Sequence, residues 1–412
     1  MLFFFSFCRR KGAIVSINQE DCQNGNLTIV QALFMQSLKR LLIESIKEKG
    51  RITFAEFMQT ALYHPEYGYY NSKREQVGKQ GDYYTGPTVY RIFGELLARQ
   101  LEEMWRLMEK EPFAVVEMGA NKGWLCYDII QYIMNAYPEF YNKFHYIIVE
   151  SNPYAREKQR LLLESIEVAD EKVSWHTYTE DGFSFDKIHG CFLSNEFVDA
   201  LPVHRLKLEN KVLKEIYVGY NGKKFCEIDD DVSLPALYCY LETNNINLDE
   251  GQVCEINLGA ADWLKHVSEK LDKGFMITID YGDTRDRLYH ENMREGTLRC
   301  YHSHTVNRDY YERPGEQDIT AHVDFTNLVN AGRSVQLEET GFMQQAHFLI
   351  ALGILERFQE TKYDTDTTLK LKNLLHPEAM GEIFKVLIQH KNIKNPQLAG
   401  LRPLHSVIMS TR

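Results

Sequence analysis

The sequence predicts an α/β fold organised on an open parallel β-sheet, and three observations carry that expectation. Residues 114–125 read as an apolar strand, a glycine-punctuated turn and the start of a helix. Residues 145–150 read as a second buried strand with an acid at its end, which completes a strand-helix-strand unit. Two further apolar runs, 188–193 and 275–280, stop at Ser194-Asn195-Glu196 and Tyr281-Gly282. Both place polar groups at the carboxyl edge of the sheet, where open parallel sheets bind ligands.

Taken in order, Leu33, Phe34, Leu38, Leu41, Leu42 and Ile46 recur at helical spacing, and Gly50 supplies a stop. A second short helix begins after Thr53, with Glu56 at capping-box spacing, and ends before His64-Pro65. The Tyr/Gly-rich stretch from Pro65 to Pro87 is long for a connection and is expected to be functional. An amphipathic helix over 90–110 leads into the first sheet strand, and another follows the glycine turn. Residues 204–228 alternate polar and apolar around Asn221-Gly222, a hairpin signal that predicts an antiparallel β insertion. After Gly282 the chain reads as irregular to about Ala321, then as helical segments with an edge-strand region. The expected division is a tail over 1–27, a helical cap and loop over 28–110, and a core over 111–360. The insertion falls at about 204–250, and a helical extension at 361–412.

The chain has 412 residues, 44% of them hydrophobic, and this excludes disorder and fibrous repeats. A net charge of −11, without a basic stripe interleaved with aromatics, argues against nucleic acid as a partner and favours a cationic one. Eight cysteines are scattered with no C-x-x-C and no metal-ligand spacing, which fits a reducing compartment. The apolar run at 1–8 is too short to span a bilayer and lacks a preceding basic region, so no membrane insertion or secretion is expected. The cytoplasm is the expected location, with the mitochondrial or another organelle matrix as the alternative.

The glycine turn bears on the cofactor class. A dinucleotide fingerprint needs a third small residue after the turn, whereas here Trp124 follows Gly123. The E-x-G-x-x-x-G spacing of Glu117, Gly119 and Gly123 suits a cofactor without a phosphate, S-adenosylmethionine, with Glu117 as an acceptor for its ammonium group. On its own, the same turn fits a purely structural connection equally well. Asn121 stands at the centre of the turn, where Asn tolerates positive φ. Glu150, at the end of the next strand, can accept both ribose hydroxyls of an adenosyl group. Asp82 and Thr85 in the long early loop are candidates to lie over the cofactor, and Asn195 to border it.

Glu196 and Asp199 follow the third strand. If a helical turn forms there, they share a face and can bracket a cationic acceptor or remove a proton; the alternative is that one of them caps a helix. His322 and Asp324 offer a metal pair without a third ligand, so no metal is expected.

Over about residues 50–390 the chain resembles one family. The segments that carry the resemblance are FAEFMQTALYHPEYGYY, GDYYTGPTVYRIFGELLA, VVEMGANKG, YIIVESNPYAREKQ, LSNEFVDALPVHRL, IDYG, GTLRCYHSHTVNRDYYERPGEQDITAHVDF and HPEAMGEIFKV. In order and spacing they are similar to class I S-adenosylmethionine-dependent methyltransferases related to the mitochondrial complex I assembly arginine methyltransferase and its bacterial homologues. The resemblance implies a Rossmann-like class I methyltransferase sheet with an N-terminal helical cap, and an arginine-containing protein substrate; it leaves a homodimer open. The family turn is usually E-x-G-P-G-x-G, where this chain has Ala120-Asn121. The early loop is usually T-S-P-E, where it has Gly86 and Thr88. These departures keep open a non-catalytic assembly factor, and a small-molecule methyltransferase is a further alternative.

Overall fold

The structure, a computed structural model, describes residues 27–72, 91–360, 372, 374–376 and 381–404. The N-terminal region contributes helices α1 (Leu27–Lys49), α2 (Phe54–Tyr63) and α3 (Arg91–Leu107). The capping box at α2 is present: Thr53 Oγ1 accepts the Glu56 N–H at 3.1 Å, and Glu56 Oε2 accepts the Thr53 N–H at 2.8 Å. Strand β1 (Phe113–Met118) runs into the glycine turn and α4 (Trp124–Ala136). Then follow β2 (Phe144–Val149), α5 (Pro153–Glu164), β3 (Val173–His176) and β4 (Ile188–Asn195). The insertion comprises β5 (His204–Glu209), β6 (Val212–Tyr220), β7 (Phe225–Asp230), α6 (Pro235–Thr243) and β8 (Val253–Ile256). The core resumes with α7 (Gly259–Lys270), β9 (Leu271–Asp283), α8 (Phe325–Ser334), β10 (Glu338–Gln344) and β11 (Phe384–Lys391).

The central sheet has the order β10-β11-β9-β4-β1-β2-β3. Pairing is parallel from β9 through β4, β1 and β2 to β3, while β11 lies antiparallel between β9 and β10. Strand order reverses between β1 and β4, so the crevice at their carboxyl ends is the switch point at which such sheets take ligands. Both faces are covered, and the strands alternate accordingly. Val115, Tyr146, Ile148, Leu193 and Ile277 pack beneath α3 and α4, whereas Val116, Ile147, Phe192 and Met276 pack beneath α7 and α8.

The expected antiparallel insertion is present, with β6 paired to both β5 and β7. Residues Ile52–Thr53 extend this sheet by pairing with β6. The cap and the insertion therefore share one core, in which Phe54, Phe57 and Phe225 meet Leu298, Cys300 and Ile319. Residues after Gly282, expected to be irregular, contain a small sheet of Arg299–His302, Thr305–Asn307 and Asp318–Thr320. A second correction concerns the helical extension expected over 361–412: Phe384–Lys391 is a strand, buried at seven of its eight positions. Its Phe384, Val386, Leu387 and Ile388 fill the slot between β9 and β10, with Lys385, Gln389 and His390 buried among them.

Gly190 and Gly274 sit side by side in β4 and β9, with Ala114 of β1 on the other flank of Gly190. Gly190 has φ 153°, and a Cβ there would lie 1.9 Å from the Ala114 carbonyl oxygen. Only glycine lets these central strands approach so closely. Gly190→Ala is accordingly expected to cost about 3 kcal/mol, whereas Gly259→Ala, whose Cβ would meet nothing closer than 3.6 Å, should be neutral or slightly stabilising; urea unfolding of the two variants checks this.

Candidate active site

Positive φ recurs through the glycine turn: 64° at Gly119, 48° at Asn121 and 81° at Gly123. Asn121 thus adopts the left-handed conformation that a central glycine would supply, and the turn closes with the Gly123 N–H donating to Ala120 O at 2.8 Å. Gln159 of α5 holds it from below, donating from Nε2 to the Asn121 carbonyl at 2.7 Å and accepting the Trp175 indole N–H at 2.9 Å. A Cβ on Gly123 would come within 2.9 Å of Gln159 Cγ, so this glycine is also required by packing. Gly123 is the N-cap of α4 and makes no side-chain cap bond, so the first N–H groups of that helix border the crevice uncapped.

Glu150 follows β2 directly. Its Oε1 accepts the Asn152 N–H at 2.9 Å. Burial pushes its carboxyl upward, against the backbone N–H groups of Asn152, Ser151 and Asn121 and the charge of Arg156. Asn152 caps α5, accepting the Tyr154 N–H at 2.9 Å, and donates from Nδ2 to Tyr70 O at 2.7 Å. The segment after α2 is thereby tied to the Glu150 side of the crevice. Glu117 is 3% exposed within β1, where its Oε2 accepts the Tyr146 hydroxyl at 2.7 Å. Burial raises it to about 7, with the charge of Glu150 adding to the effect and the Tyr146 bond opposing it. Asp82 and Thr85, like Gly86 and Thr88, lie outside the described residues.

Across the switch point, Asn195 ends β4 and donates from Nδ2 to Glu196 Oε1 at 3.1 Å. The helical turn expected after it is absent. Glu196 takes φ 50°, and residues 196–201 form bends and a turn. What gathers the carboxylates instead is Asp280, fully buried near the end of β9. Its Oδ2 accepts the N–H groups of Phe197, Val198 and Asp199 at 3.3, 3.0 and 3.3 Å, and its Oδ1 accepts that of Tyr281 at 2.9 Å. Three successive N–H groups pointed at one carboxylate replace the helix that would have been needed to aim Glu196 and Asp199 together.

Asp199 caps no helix. Its Oδ2 accepts the Tyr281 hydroxyl, while Oδ1, in a side chain 95% buried, has no hydrogen-bond partner among the described residues. Asp318 stands opposite and accepts the Tyr70 hydroxyl at 2.7 Å, and the Tyr63 hydroxyl donates to Ala200 O at 3.0 Å. Burial, then mutual repulsion, raises Glu196, Asp199 and Asp280. Glu196 is pushed up to about 8, with Asp199 next in effect, and Asp280 to about 8, with Glu196 next. Asp199 is raised well above its ordinary value by burial, Asp280 and Asp318. The Tyr63 hydroxyl is raised by burial and then by Asp318, Asp199 and Glu150 in turn.

Asp280, Tyr281, Asp318, Tyr63 and Tyr70 were not singled out by sequence reasoning as site residues. The only sequence signal was the IDYG segment at a strand end and the Tyr-rich stretch after α2. At the position expected to bind no metal, Asp324 caps α8 by accepting the Asn327 N–H at 3.0 Å and takes the Tyr240 hydroxyl at 3.0 Å. Burial lowers His322 to about 4. No group of three metal-ligating side chains occurs among the described residues.

The sequence model of a family described as "Putative S-adenosyl-L-methionine-dependent methyltransferase" matches residues 96–343, more than half of the chain. Protein arginine methyltransferase NDUFAF7, mitochondrial, of Bos taurus is 27% identical over 422 residues, covering 94% of this chain and 89% of the relative. Its Homo sapiens counterpart is 27% identical over 393 residues, covering 86% and 84%. A Burkholderia thailandensis structure bound to S-adenosyl-homocysteine superposes with a TM-score of 0.82 at 26% identity, covering 90% of this chain and 96% of that one. With its parallel sheet, switch-point turn and strand-end acid in place, the chain belongs to this family of S-adenosyl-L-methionine-dependent methyltransferases.

Proposed function

We propose that the chain methylates an arginine side chain of a protein substrate. The observation that carries this reading is the cluster of carboxyls at the carboxyl edge of β4 and β9, Asp199 and Asp280 buried and Glu196 partly buried, all raised by loss of solvent and by one another. A cation entering there relieves the repulsion, and a planar guanidinium matches carboxylates better than an ammonium does. The names of the curated relatives support the same acceptor. An apolar lining would have favoured a small-molecule acceptor, and these residues do not supply one.

Bound S-adenosylmethionine supplies a methyl group already activated on a sulfonium. Glu150 would hold the ribose hydroxyls, and Gly119, Asn121 and Gly123 would admit the methionine portion, bordered by Glu117 and Asn195; Asp82 and Thr85, the loop candidates from the sequence, lie outside the described residues. Glu196 and Asp199 flank the acceptor nitrogen and orient it. The task left to the protein is alignment and removal of a proton. The left-handed Asn121 keeps the turn, so the departure at Ala120-Asn121 does not itself favour a non-catalytic role. The relatives named mitochondrial favour an organelle matrix over the cytoplasm as the place of action, and no described helix is long and apolar enough to cross a membrane.

Glu150→Ala is expected to weaken S-adenosylmethionine binding about 10- to 100-fold in calorimetry, while Glu196→Gln leaves it within a few-fold and lowers methylation of an arginine peptide. A second expectation concerns protons. Raised carboxyls contribute stability that is fully present below about 4.5 and is lost as pH rises through the value of about 8 given for Glu196 and Asp280. An arginine peptide that draws these groups into their charged form should therefore release protons on binding near pH 7. Calorimetry in two buffers of different ionisation enthalpy measures this, and equal heats in both would contradict it.

A further inference from the structure

We propose that Tyr281 and Asp280 are positioning residues that divide the labour of the two acceptor carboxylates, leaving Asp199 Oδ1 as the atom that takes the proton from the methylated nitrogen. The inference rests on the arginine reading above and assigns roles within that site.

Three independent contacts converge on it. Asp280 pins the backbone of residues 197–199 through three N–H groups, so the Asp199 side chain leaves from a segment that cannot rotate without losing all of them. The Ala321 N–H donates to the Asp199 carbonyl at 3.0 Å and fixes the same residue from the far side. The Tyr281 hydroxyl then occupies Oδ2. Oδ1 is left as a buried oxygen without a partner among the described residues, which is costly unless a ligand satisfies it. Glu196 differs: it is only partly buried, and neither of its oxygens is among the buried atoms left without a partner, so it suits charge pairing rather than proton transfer.

In the step, the acceptor nitrogen's lone pair forms the N–C bond to the methyl carbon as the S–C bond breaks, and that electron pair stays on sulfur. The proton on the same nitrogen passes to Asp199 Oδ1. The groups facing Asp199 are Glu196, Asp280, Tyr281, Asp318, Tyr63 and Tyr301. The Tyr281 hydroxyl stabilises the charged form of Asp199, so it also sets the pH at which Oδ1 can accept.

The test uses the full chain with radiolabelled S-adenosylmethionine and N-acetyl-arginine methylamide as the probe acceptor. Tyr281→Phe, which keeps the ring that packs against Phe384 and His322, should lower kcat about 100-fold. KM and cofactor Kd should stay within about threefold, and the acid limb of the kcat profile should move about one pH unit higher. Asp199→Asn should lower kcat about 100-fold or more without that limb. Asp280→Ala should lose more activity than Asp280→Asn, whose remaining oxygen can still accept from the loop. If the wild type does not methylate the probe, the arginine reading fails and this assignment falls with it. If the wild type is active but Tyr281→Phe and Asp280→Ala keep its kcat and pH profile, or Asp199→Asn does, only the assignment is overturned. Should Tyr281→Phe fail to bind cofactor, the Asp199→Asn and Asp280 pairs decide the matter alone.

Discussion

The constraint on which this site depends is the burial of carboxyl groups at the carboxyl edge of the sheet, with repulsion between them as the strongest side-chain effect after desolvation. Asp280 is fully buried, yet four backbone N–H groups surround it. Those bonds convert an expensive buried acid into the anchor of the strand-to-loop exit. Without it, Glu196 in its left-handed conformation and the turn at Asp199 would have no common support, because no helix follows β4. The same burial leaves the neighbouring acids raised, and a site poised in that way is complementary to an incoming cation rather than to a neutral group.

A second dependence runs through the N-terminal cap. Its helices α1 and α2 share a core with the insertion, and Ile52–Thr53 is hydrogen-bonded into the insertion's sheet. The cap's last turns therefore reach the crevice from a rigid base. Tyr63 contacts Ala200 beside Asp199, and the Tyr70 carbonyl accepts from Asn152 beside Glu150. Cap, insertion and sheet thus meet at one place, and the two halves of the crevice are spaced by elements that are far apart in the chain.

Much of this was legible in the residues. The period-two and continuous apolar runs marked β1, β2, β4 and β9, and the Thr53-Glu56 pair marked the start of α2. Asn221-Gly222 marked the hairpin of β6 and β7, and Asn121 could be expected to carry a positive φ. Other features were hidden for identifiable reasons. Strand β11 lay in a stretch expected to be helical, because a short apolar run between covering helices has no period that separates strand from helix. Glu196 and Asp199 looked like a helical pair because their spacing suits a helix.

By itself the sequence determined the class of fold, the glycine turn, the strand-end acid and the segment that carries Glu196 and Asp199. Each of these rests on local spacing and backbone preference, which are written within a few residues. Only the tertiary structure decided that Asp280 rather than a helix aims those carboxylates, and that Tyr281 and the tyrosines of the cap frame them. It also placed Glu117 beneath the turn with Tyr146. Those outcomes depend on which strands become neighbours in the sheet, and adjacency between residues about eighty positions apart leaves no periodic trace in the chain.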